Sequence, residues 1–344
     1  MNTNLNHIKT IIFYIFILLV LTIPILPAKK LAAFPTLERP RGMELDNQQI
    51  CVLERYCISI FSSRTFELIK KIGTKGEGPG EWITAYRFKM YPDMITLNSM
   101  RKLLVFSREG NLKYEIRKED GQLFIIWPLE KNFIGLKGDY NANTGVTRTI
   151  VIINIQQETL KEIAEFREKT KVKGNSNVSQ ENPFNHYFNV LVYNDSIFIA
   201  DSSRGFYIEV FNNEGQLLYK IDKNNEVENI PVTDKIKSDF LKQNKNSDDV
   251  KLAGMFGKKV KYTFPKYFPA FKRIFIDSGK IYAVTYKQKS NKNEIIIMDL
   301  KGKILNRVFI ELGGGCMNVF NGGLYYLKDN LDNEEWEIFY EPIN

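Results

Sequence analysis

The sequence predicts an all-β protein: a six-bladed β-propeller of four-stranded antiparallel blades, with one small helical insertion and a hydrophobic helix at its N-terminus. Three observations predict this fold. After Phe34, short apolar or alternating runs rich in Ile, Val, Tyr and Phe are separated by Gly, Asn, Asp and Ser, which is typical of β-strands. A unit built from such strands recurs along the chain, and its tight turns have the composition of β-hairpins.

Each copy of the unit contains a strand, a polar turn, an apolar strand, a second turn and a last strand with a basic residue. The second turn reads "REGN", "NEGQ" or "LKGK" in three copies, where glycine supplies the positive φ of a hairpin turn. The clear copies span 48–73, 93–118, 195–223 and 279–310, and two weaker copies span 131–163 and 322–342.

The spacing of the copies predicts the propeller. A period of about 40–50 residues with four strands per unit is the signature of propeller blades. Each copy shows three strands, so the fourth must lie in the connecting segment, and the two long gaps must hold insertions. The aligned first strands contain Ile50, Met94, Phe133, Ile197, Ile281 and Leu324, which are separated by 44, 39, 64, 84 and 43 residues.

The N-terminus carries a targeting segment. Lys9 is followed by nineteen residues without a charge, 10–28, and then by two lysines. A basic start, an apolar run and small residues near Ala28 or Ala32–Ala33 describe an export signal. As a helix the run would rise about 28 Å, close to the thickness of a bilayer core, so an uncleaved anchor is an equal alternative.

These alternatives set the predicted domain boundaries. Residues 1–33 form a signal peptide or an N-terminal membrane anchor, and residues 34–344 form the propeller. Both alternatives place the propeller outside the cytoplasm, in the periplasm, at the cell surface or secreted, and an anchor would hold it in the inner membrane through residues 10–28.

The two long gaps predict two insertions. The first, 167–185, is polar and reads as a loop. The second, 225–268, contains "PVTDKIKSDFLKQ", an amphipathic helix that Thr233 caps and whose apolar stripe is Ile236, Phe240 and Leu241.

The second insertion also supplies the candidate partner-binding residues, because its end mixes lysines with aromatic side chains. One interpretation is a surface for an anionic partner or a nucleic acid. The other is a lysine-decorated lid whose aromatic rings pack on the propeller, and no basic groove elsewhere supports a nucleic-acid platform. The candidates are Lys258, Lys259, Lys261, Tyr262, Phe264, Lys266, Tyr267 and Phe268.

The stretch "KIGTKGEGPGEW" (71–82) poses a separate choice between a phosphate-binding loop and a structural turn. A phosphate loop would need GK[ST] opening a helix, and no helical pattern follows Pro79 and Gly80. A crossing between two blades needs sharp turns, which the glycines allow, and a large side chain such as Trp82 to pack between the sheets. The sequence therefore predicts a structural turn.

This stretch resembles the loop between blades in NHL-repeat and related six-bladed propellers, where Ile-Gly precedes a Gly-rich turn, Gly-Pro-Gly-Glu and an aromatic residue. "ICVLE", "IFIAD" and "IYAVT" resemble that family's second strand, which often ends in Asp. "PKYFPAFKRIFIDSGKIYAVTY" resembles the blade after a helical insertion in exported bacterial propellers. The resemblance covers 36–342 but is specific only at 72–82, and it implies that an N-terminal strand, here within "LERPRGMELD" (37–46), completes the last blade.

Few residues point to catalysis. The chain has two histidines, His7 in the export segment and His186, so a site with several imidazole ligands is excluded. No GxSxG, HExxH or EF-hand pattern occurs. "DYNAN" (139–143) and "DNLDNEE" (329–335) carry oxygens suited to calcium, but each reads first as a hairpin turn. Glu54, Asn98 and Asp201 fill equivalent positions at strand ends, where turn capping is the simpler role, and Thr285 fills the fourth.

The three cysteines, Cys51, Cys57 and Cys316, read as small buried hydrophobic residues. A two-residue turn at Glu54–Arg55 would pair Cys51 with Ile58 and direct Cys51 and Cys57 to opposite faces, which disfavours a bond between them. A bridge from Cys316 to either one remains open for an exported protein.

The net charge of +8 falls to +5 without the N-terminal segment, and the surplus is spread along the chain, which is not a nucleic-acid signature. We therefore expect a non-catalytic, monomeric binding module with no cofactor and no catalytic or metal-ligating residues. Its partner would be a protein, peptide or carbohydrate, and it would meet a membrane only through its N-terminal segment. One alternative is a propeller hydrolase, lactonase or lyase with a carboxylate-bound metal at the axial funnel. Another is a sensor domain held by the N-terminal helix.

Overall fold

A computed structural model describes residues 28–118, 123–129, 131–141, 145–168, 178–184, 186–245, 247–255, 257, 259–312 and 315–343. The predicted signal or anchor at 1–27 therefore lies outside the described residues, as does Lys258. No helix within the described residues is both long and apolar enough to span a bilayer.

The first half of the chain forms three blades. The strand β1 (Lys29–Phe34) comes first and belongs to the last blade. Blade one is β2 (Gly42–Leu45), β3 (Gln49–Leu53), β4 (Ile58–Ser62) and β5 (Leu68–Ile72). Blade two is β6 (Ala85–Met90), β7 (Met94–Ser99), β8 (Lys102–Ser107) and β9 (Leu112–Arg117). Blade three is β10 (Leu123–Leu129), β11 (Asn132–Asn141), β12 (Gly145–Ile153) and β13 (Thr159–Glu168).

The second half adds the other blades and both insertions. After β14 (Val178–Glu181), blade four is β15 (Phe188–Tyr193), β16 (Ser196–Asp201), β17 (Tyr207–Asn212) and β18 (Leu217–Asp222). The second insertion is α1 (Asp234–Asn244), α2 (Asp248–Met255) and β19 (Lys259–Tyr262). Blade five is β20 (Arg273–Asp277), β21 (Lys280–Lys289), β22 (Lys292–Asp299) and β23 (Ile304–Ile310). Blade six is β24 (Met317–Phe320), β25 (Gly323–Asn330), β26 (Glu335–Pro342) and β1.

This architecture confirms the predicted six-bladed, four-stranded propeller. The six residues aligned in the sequence all lie in the second strand of their blade, and the missing fourth strand is the innermost one. The loop predicted over the first insertion is interrupted by β14. Apolar side chains fill the spaces between neighbouring blades, with Leu97 and Ile60 between blades one and two and Phe271 and Ile281 between blades four and five.

The ring is closed by β1, which pairs with β26 from Lys29↔Tyr340 to Phe34↔Trp336. The prediction that residues 37–46 complete the last blade is wrong, because residues 42–45 form β2, the innermost strand of blade one. Pro35 ends β1, since proline has no N–H for the ladder, and the chain then crosses to the axis. The propeller strands thus begin at Lys29.

In three of the blades, a basic residue on the outermost strand has a structural role. In blade five, Arg307 donates to Glu294 on the third strand at 2.9 Å. In blade six, Lys30 donates to Glu337 at 2.5 Å. In blade one, Lys71 lies 3.4 Å from Glu54. These ion pairs hold the outermost strand against its neighbours.

The hairpin around Cys51 turns at Arg55–Tyr56, one residue later than predicted. Leu53 therefore pairs with Ile58, and Cys51 pairs with Ile60 rather than Ile58. The two thiols still point to opposite faces, and all three cysteines are free. Burial raises the pKa of Cys51 to about 12 and those of Cys57 and Cys316 to about 11, so these thiols remain protonated at neutral pH.

Candidate functional site

One face of the propeller carries every long connection. Each blade begins with its innermost strand, so the crossings between blades and the turns between second and third strands emerge on the same side. We call this side the crossover face. The described parts of both insertions, the Gly-rich stretch 73–84 and the polar residues at the ends of the second strands lie on it.

The Gly-rich stretch crosses from blade one to blade two around Trp82. The Trp82 ring is 1% exposed, packs with the core between the two blades, and donates from Nε1 to the carbonyl of Arg55 at 3.3 Å. Gly73 has φ +85°, and a Cβ there would lie 1.9 Å from the indole. Glycine is therefore required both by the backbone and by the ring.

The same stretch satisfies its own backbone. The Glu81 carboxylate accepts from the Gly78 N–H at 2.9 Å and from the Thr74 hydroxyl at 3.2 Å. A side chain at Gly76 would meet that carboxylate, since a Cβ there would lie 1.9 Å from Oε2. An anionic group of the protein thus occupies the place that a phosphate would need, which supports the predicted structural turn over the phosphate loop.

The polar residue at the end of β3, Glu54, is held within its own blade. Its carboxylate accepts from the Glu38 N–H at 2.9 Å and from the Ser59 hydroxyl at 2.5 Å. Burial would raise its pKa, but these hydrogen bonds, with the nearby Lys71, hold the pKa below its usual value. Glu54 is therefore an ionised structural residue.

Two of the equivalent residues, Asp201 and Thr285, are also held within their own blades. Asp201 caps a short 3-10 helix by accepting from the Ser203 N–H at 2.9 Å. Thr285 donates to Glu294 at 2.8 Å, and Asn98 is buried. The predicted role of turn capping is therefore correct for Asp201. Within the described residues, no three His, Cys, Asp or Glu side chains are arranged to hold a metal.

The other residues considered from the sequence for catalysis or calcium binding do not lie together in one site. His186 is exposed on the connection before β15. "DNLDNEE" forms the turn between β25 and β26, where the Asn330 side chain accepts from the Asp332 N–H. The tip of "DYNAN", residues 142–143, lies outside the described residues.

The two insertions fold together on the crossover face. The strand β14 pairs in parallel with β19, from Val178↔Lys259 to Glu181↔Tyr262. The helix α1 begins at the predicted cap, where the Thr233 hydroxyl accepts from the Ile236 N–H. We call this unit the platform: the described residues of 178–184 and 230–268.

An aromatic cluster fixes the platform to blade five. Phe184 lies at its centre, with its ring centroid 4.6 Å from Phe268, 5.8 Å from Phe240 and 5.9 Å from Phe264. Phe268 stacks on Tyr286 of β21 at 4.3 Å. The helix stripe was thus predicted correctly at Phe240, whereas Leu241 is 46% exposed.

The predicted partner-binding residues divide between the inside and the outside of the platform. Along β19 and the residues after it, exposed and half-buried positions alternate. Tyr262, Phe264 and Phe268 face the cluster, as the lid interpretation requires. The exposed candidates are Lys259, Lys261, Lys266 and Tyr267, and Lys258 lies outside the described residues.

A pocket of about 180 Å³ lies near the propeller axis, bounded by residues of blades one, two, five and six; we call it the axial pocket. Arg41, Arg87 and Arg273 line it. Each lies at or near the start of an innermost strand, so the three meet toward the crossover face. The one carboxylate in the lining, Glu44, accepts from Lys89 at 2.7 Å.

Arg87 is the most enclosed of the three. Its guanidinium donates to Asn189 of β15 and lies 5.9 Å from the Trp127 ring. Burial lowers its pKa, but an arginine remains charged at any physiological pH. Arg41 and Arg273 form no side-chain hydrogen bond and no ion pair within the described residues.

These arginines were not among the residues predicted from the sequence. A signal was available in "RGMEL", "RFKM" and "RIFI", where an arginine lies just before or within the first three residues of the strand that precedes an aligned second strand. The alignment used only three strands per copy and therefore left the innermost strand unexamined.

Comparisons with known proteins show the fold. A Bacteroides fragilis crystal structure, whose name marks it as an assumed exported protein, is 13% identical with a TM-score of 0.53, covering 92% of this chain and 94% of that one. A luciferin-regenerating enzyme is 10% identical with a TM-score of 0.46, covering 92% of this chain and 94% of that one. BamB from Moraxella catarrhalis is 8% identical with a TM-score of 0.41, covering 91% of this chain and 99% of that one. No protein-family model and no curated protein matches the sequence, so the NHL-type resemblance remains a prediction.

Proposed function

We propose that this chain is an exported or membrane-anchored, non-catalytic binding module whose crossover face captures an acidic partner, a protein, peptide or carbohydrate. The observation that carries the proposal is the platform. It presents Lys259, Lys261 and Lys266 outward while its aromatic rings are used internally.

The build of the platform favours binding. Because the rings of Phe184 and Phe268 pin the insertion to the propeller, the exposed lysines are held on an ordered support. Less conformational entropy is lost when a partner binds such a preorganised surface than when it binds a mobile loop. Tyr267, 41% exposed, adds the kind of aromatic contact that is enriched in interfaces.

The alternative of a metal-dependent hydrolase, lactonase or lyase requires acids that converge on the axial funnel. The described lining of the axial pocket has three arginines and one glutamate, and that glutamate is paired with Lys89. Of the five acids buried in the described residues, Glu54, Glu294 and Glu337 are each bound by a cation within their own blade, and Asp201 caps a 3-10 helix. The fifth, Glu341, has no hydrogen bond to Oε2 and lies on β26, the third strand of blade six, rather than among the residues that line the axial pocket. These observations favour a binding module.

Export is supported by the sequence of the N-terminal segment. The position of β1 limits where a signal peptide could be cleaved. Cleavage after Ala33 would remove nearly all of the strand that closes the ring, whereas cleavage after Ala28 would leave that strand whole. We therefore expect either an uncleaved anchor or cleavage near Ala28. Fractionation of cells that express the full chain, with N-terminal sequencing, tests this, and soluble cytoplasmic protein with an intact N-terminus would refute export.

The binding proposal is tested with defined ligands on a chain that begins at residue 28. Binding of poly-glutamate, a sulfated glycan and a neutral glycan is measured by biolayer interferometry at two salt concentrations. The acidic ligands should bind, and their affinity should fall as salt rises. Charge reversal of three lysines (Lys259→Glu, Lys261→Glu and Lys266→Glu) should weaken the binding by at least about tenfold.

A matched variant reverses three exposed basic residues in turns on the opposite face: Arg64→Glu, Lys131→Glu and Lys303→Glu. Both variants change the net charge equally, so a purely non-specific effect would be the same in each. Equal binding by the wild type and the platform variant would show that the platform is not the binding surface. Failure of every acidic ligand to bind would refute the binding proposal.

A further inference from the structure

The axial pocket is a place where positive charge is concentrated without matching negative charge. Its described lining contains three arginines and one carboxylate, that of Glu44, which already accepts from Lys89 outside the lining. Lysines decorate many protein surfaces, but three arginines from three different blades meet here because of the ring geometry.

The surroundings of Arg87 are the strongest evidence for an anion site. Within the described residues, its guanidinium is bound by neutral groups alone, the Asn189 side-chain oxygen and the face of Trp127. A half-buried charge with no opposite charge is unfavourable, and an anion bound beside it relieves that cost. Asn189 is itself fixed, because its amide donates to the Tyr187 hydroxyl at 2.8 Å.

The other two arginines leave their donors available. A guanidinium has five N–H donors in a planar fork that matches a carboxylate. Within the described residues, the side chains of Arg41 and Arg273 donate to no protein group. Both therefore have donors that can turn toward a group held between them and Arg87.

We propose that the axial pocket is an anion site in which Arg41, Arg87 and Arg273 hold a carboxylate, carried either by a small dicarboxylate or by an acidic residue of a longer chain. This site depends on the residues of the pocket and not on the platform, so it goes beyond the function proposed above.

The size of the pocket limits the ligand. Sites for drug-sized molecules usually enclose about 300–1,000 Å³. A pocket of about 180 Å³ therefore takes a small anion or the end of a larger one. The crossover face also places the pocket beside the platform, since Lys272, which precedes Arg273, lies 4.8 Å from the Tyr286 ring of the aromatic cluster.

Calorimetric titration of the chain that begins at residue 28 tests the site. The probes are succinate, N-acetyl-tetraglutamate and, as the neutral control, N-acetyl-tetraglutamine amide. The acidic peptide should bind at least about tenfold more tightly than the neutral one. The double variant Arg41→Gln, Arg273→Gln should lose about tenfold in affinity for the acidic probe.

Two further variants keep the test decisive. Arg87→Gln should also lose affinity for the acidic probe. If Arg87→Gln does not fold, the double variant still tests the site, because Arg41 and Arg273 have no side-chain partner within the described residues and their replacement should leave the fold intact. The variant Arg64→Gln, Lys303→Gln removes the same charge from the opposite face and should keep its affinity.

The outcomes separate the two sources of the carboxylate. Succinate binding that is lost in the pocket variants identifies a free dicarboxylate, whereas peptide binding alone identifies an acidic residue of a chain. Unchanged affinity in the pocket variants, or no binding of either acidic probe, overturns the site. Tetraglutamate binding that is lost only in the platform variant would overturn the site while leaving the proposed function standing.

Discussion

Gly73 and Trp82 depend on each other, since the indole fills the space that any side chain at residue 73 would enter. The sequence predicted both halves of this arrangement, a sharp turn and a large residue between sheets. It did not predict that Glu81 would fold back onto the Gly78 N–H, because that contact depends on the path of the whole loop.

Comparison of alanine substitutions at Gly73 and Gly279 separates the cost of backbone strain from the cost of steric overlap with Trp82. Gly279 also has a positive φ, but a Cβ there would meet nothing within 4 Å. Gly279→Ala should therefore reduce the free energy of unfolding by about 1 kcal/mol. Gly73→Ala should reduce it by about 1–3 kcal/mol more, because the Trp82 ring must move. Urea denaturation measures both, and equal losses would contradict the overlap.

Glu54 makes the stability depend on pH. Its pKa is lowered in the folded protein, so its stabilising contribution is present above the unfolded value, about 4.3, and is lost as the pH falls through the folded value. In Glu54→Gln the free energy of unfolding should be lower at pH 7 and should fall less between pH 5 and 3. Denaturation at a series of pH values checks this, and parallel curves for the two proteins would argue against it.

At the scale of elements, the sequence predicted what local patterns determine. The cap at Thr233, the helix after it and the second strand of every blade follow from short-range chemistry. The strands β14 and β19 were not predicted, because each has four residues and they pair in parallel across about 80 positions of the chain. The closing strand was misplaced for the same reason: nothing local tells β1 from β2.

The aromatic cluster should control the order of the platform. Phe184→Ala removes the central ring of the cluster, so the amide hydrogens of α1 and β19 should exchange faster while those of β16 keep their protection. Hydrogen exchange followed by mass spectrometry measures this. Leu241→Ala, which truncates an exposed side chain on the same helix, is the control and should change little. Unchanged exchange in Phe184→Ala would show that the cluster does not hold the platform.

At the scale of the whole molecule, the ring depends on its first strand. Phe34 is 1% exposed and packs 4.2 Å from Phe61, and Lys30 pairs with Glu337. A chain that begins at residue 35 would leave the edge of β26 open, so it should melt at a lower temperature and aggregate, compared with a chain that begins at residue 28. Thermal unfolding and gel filtration compare them, and equal melting temperatures would mean that β1 is dispensable.

The axial arginines also belong to this scale. Arg41 and Arg273 are 232 positions apart, and only closure of the ring brings them to one pocket. The sequence therefore showed the fold and the exposed lysines but could not show that these charges converge.

A crystal structure of the chain that begins at residue 28, solved with N-acetyl-tetraglutamate, would show whether the crossover face binds acidic ligands. We expect one carboxylate within hydrogen-bonding distance of Arg87 and Arg273, with the remaining peptide leading toward Lys259 and Lys261. A peptide bound on the opposite face, or an axial pocket that holds no part of the peptide while the peptide lies away from the platform, would contradict it.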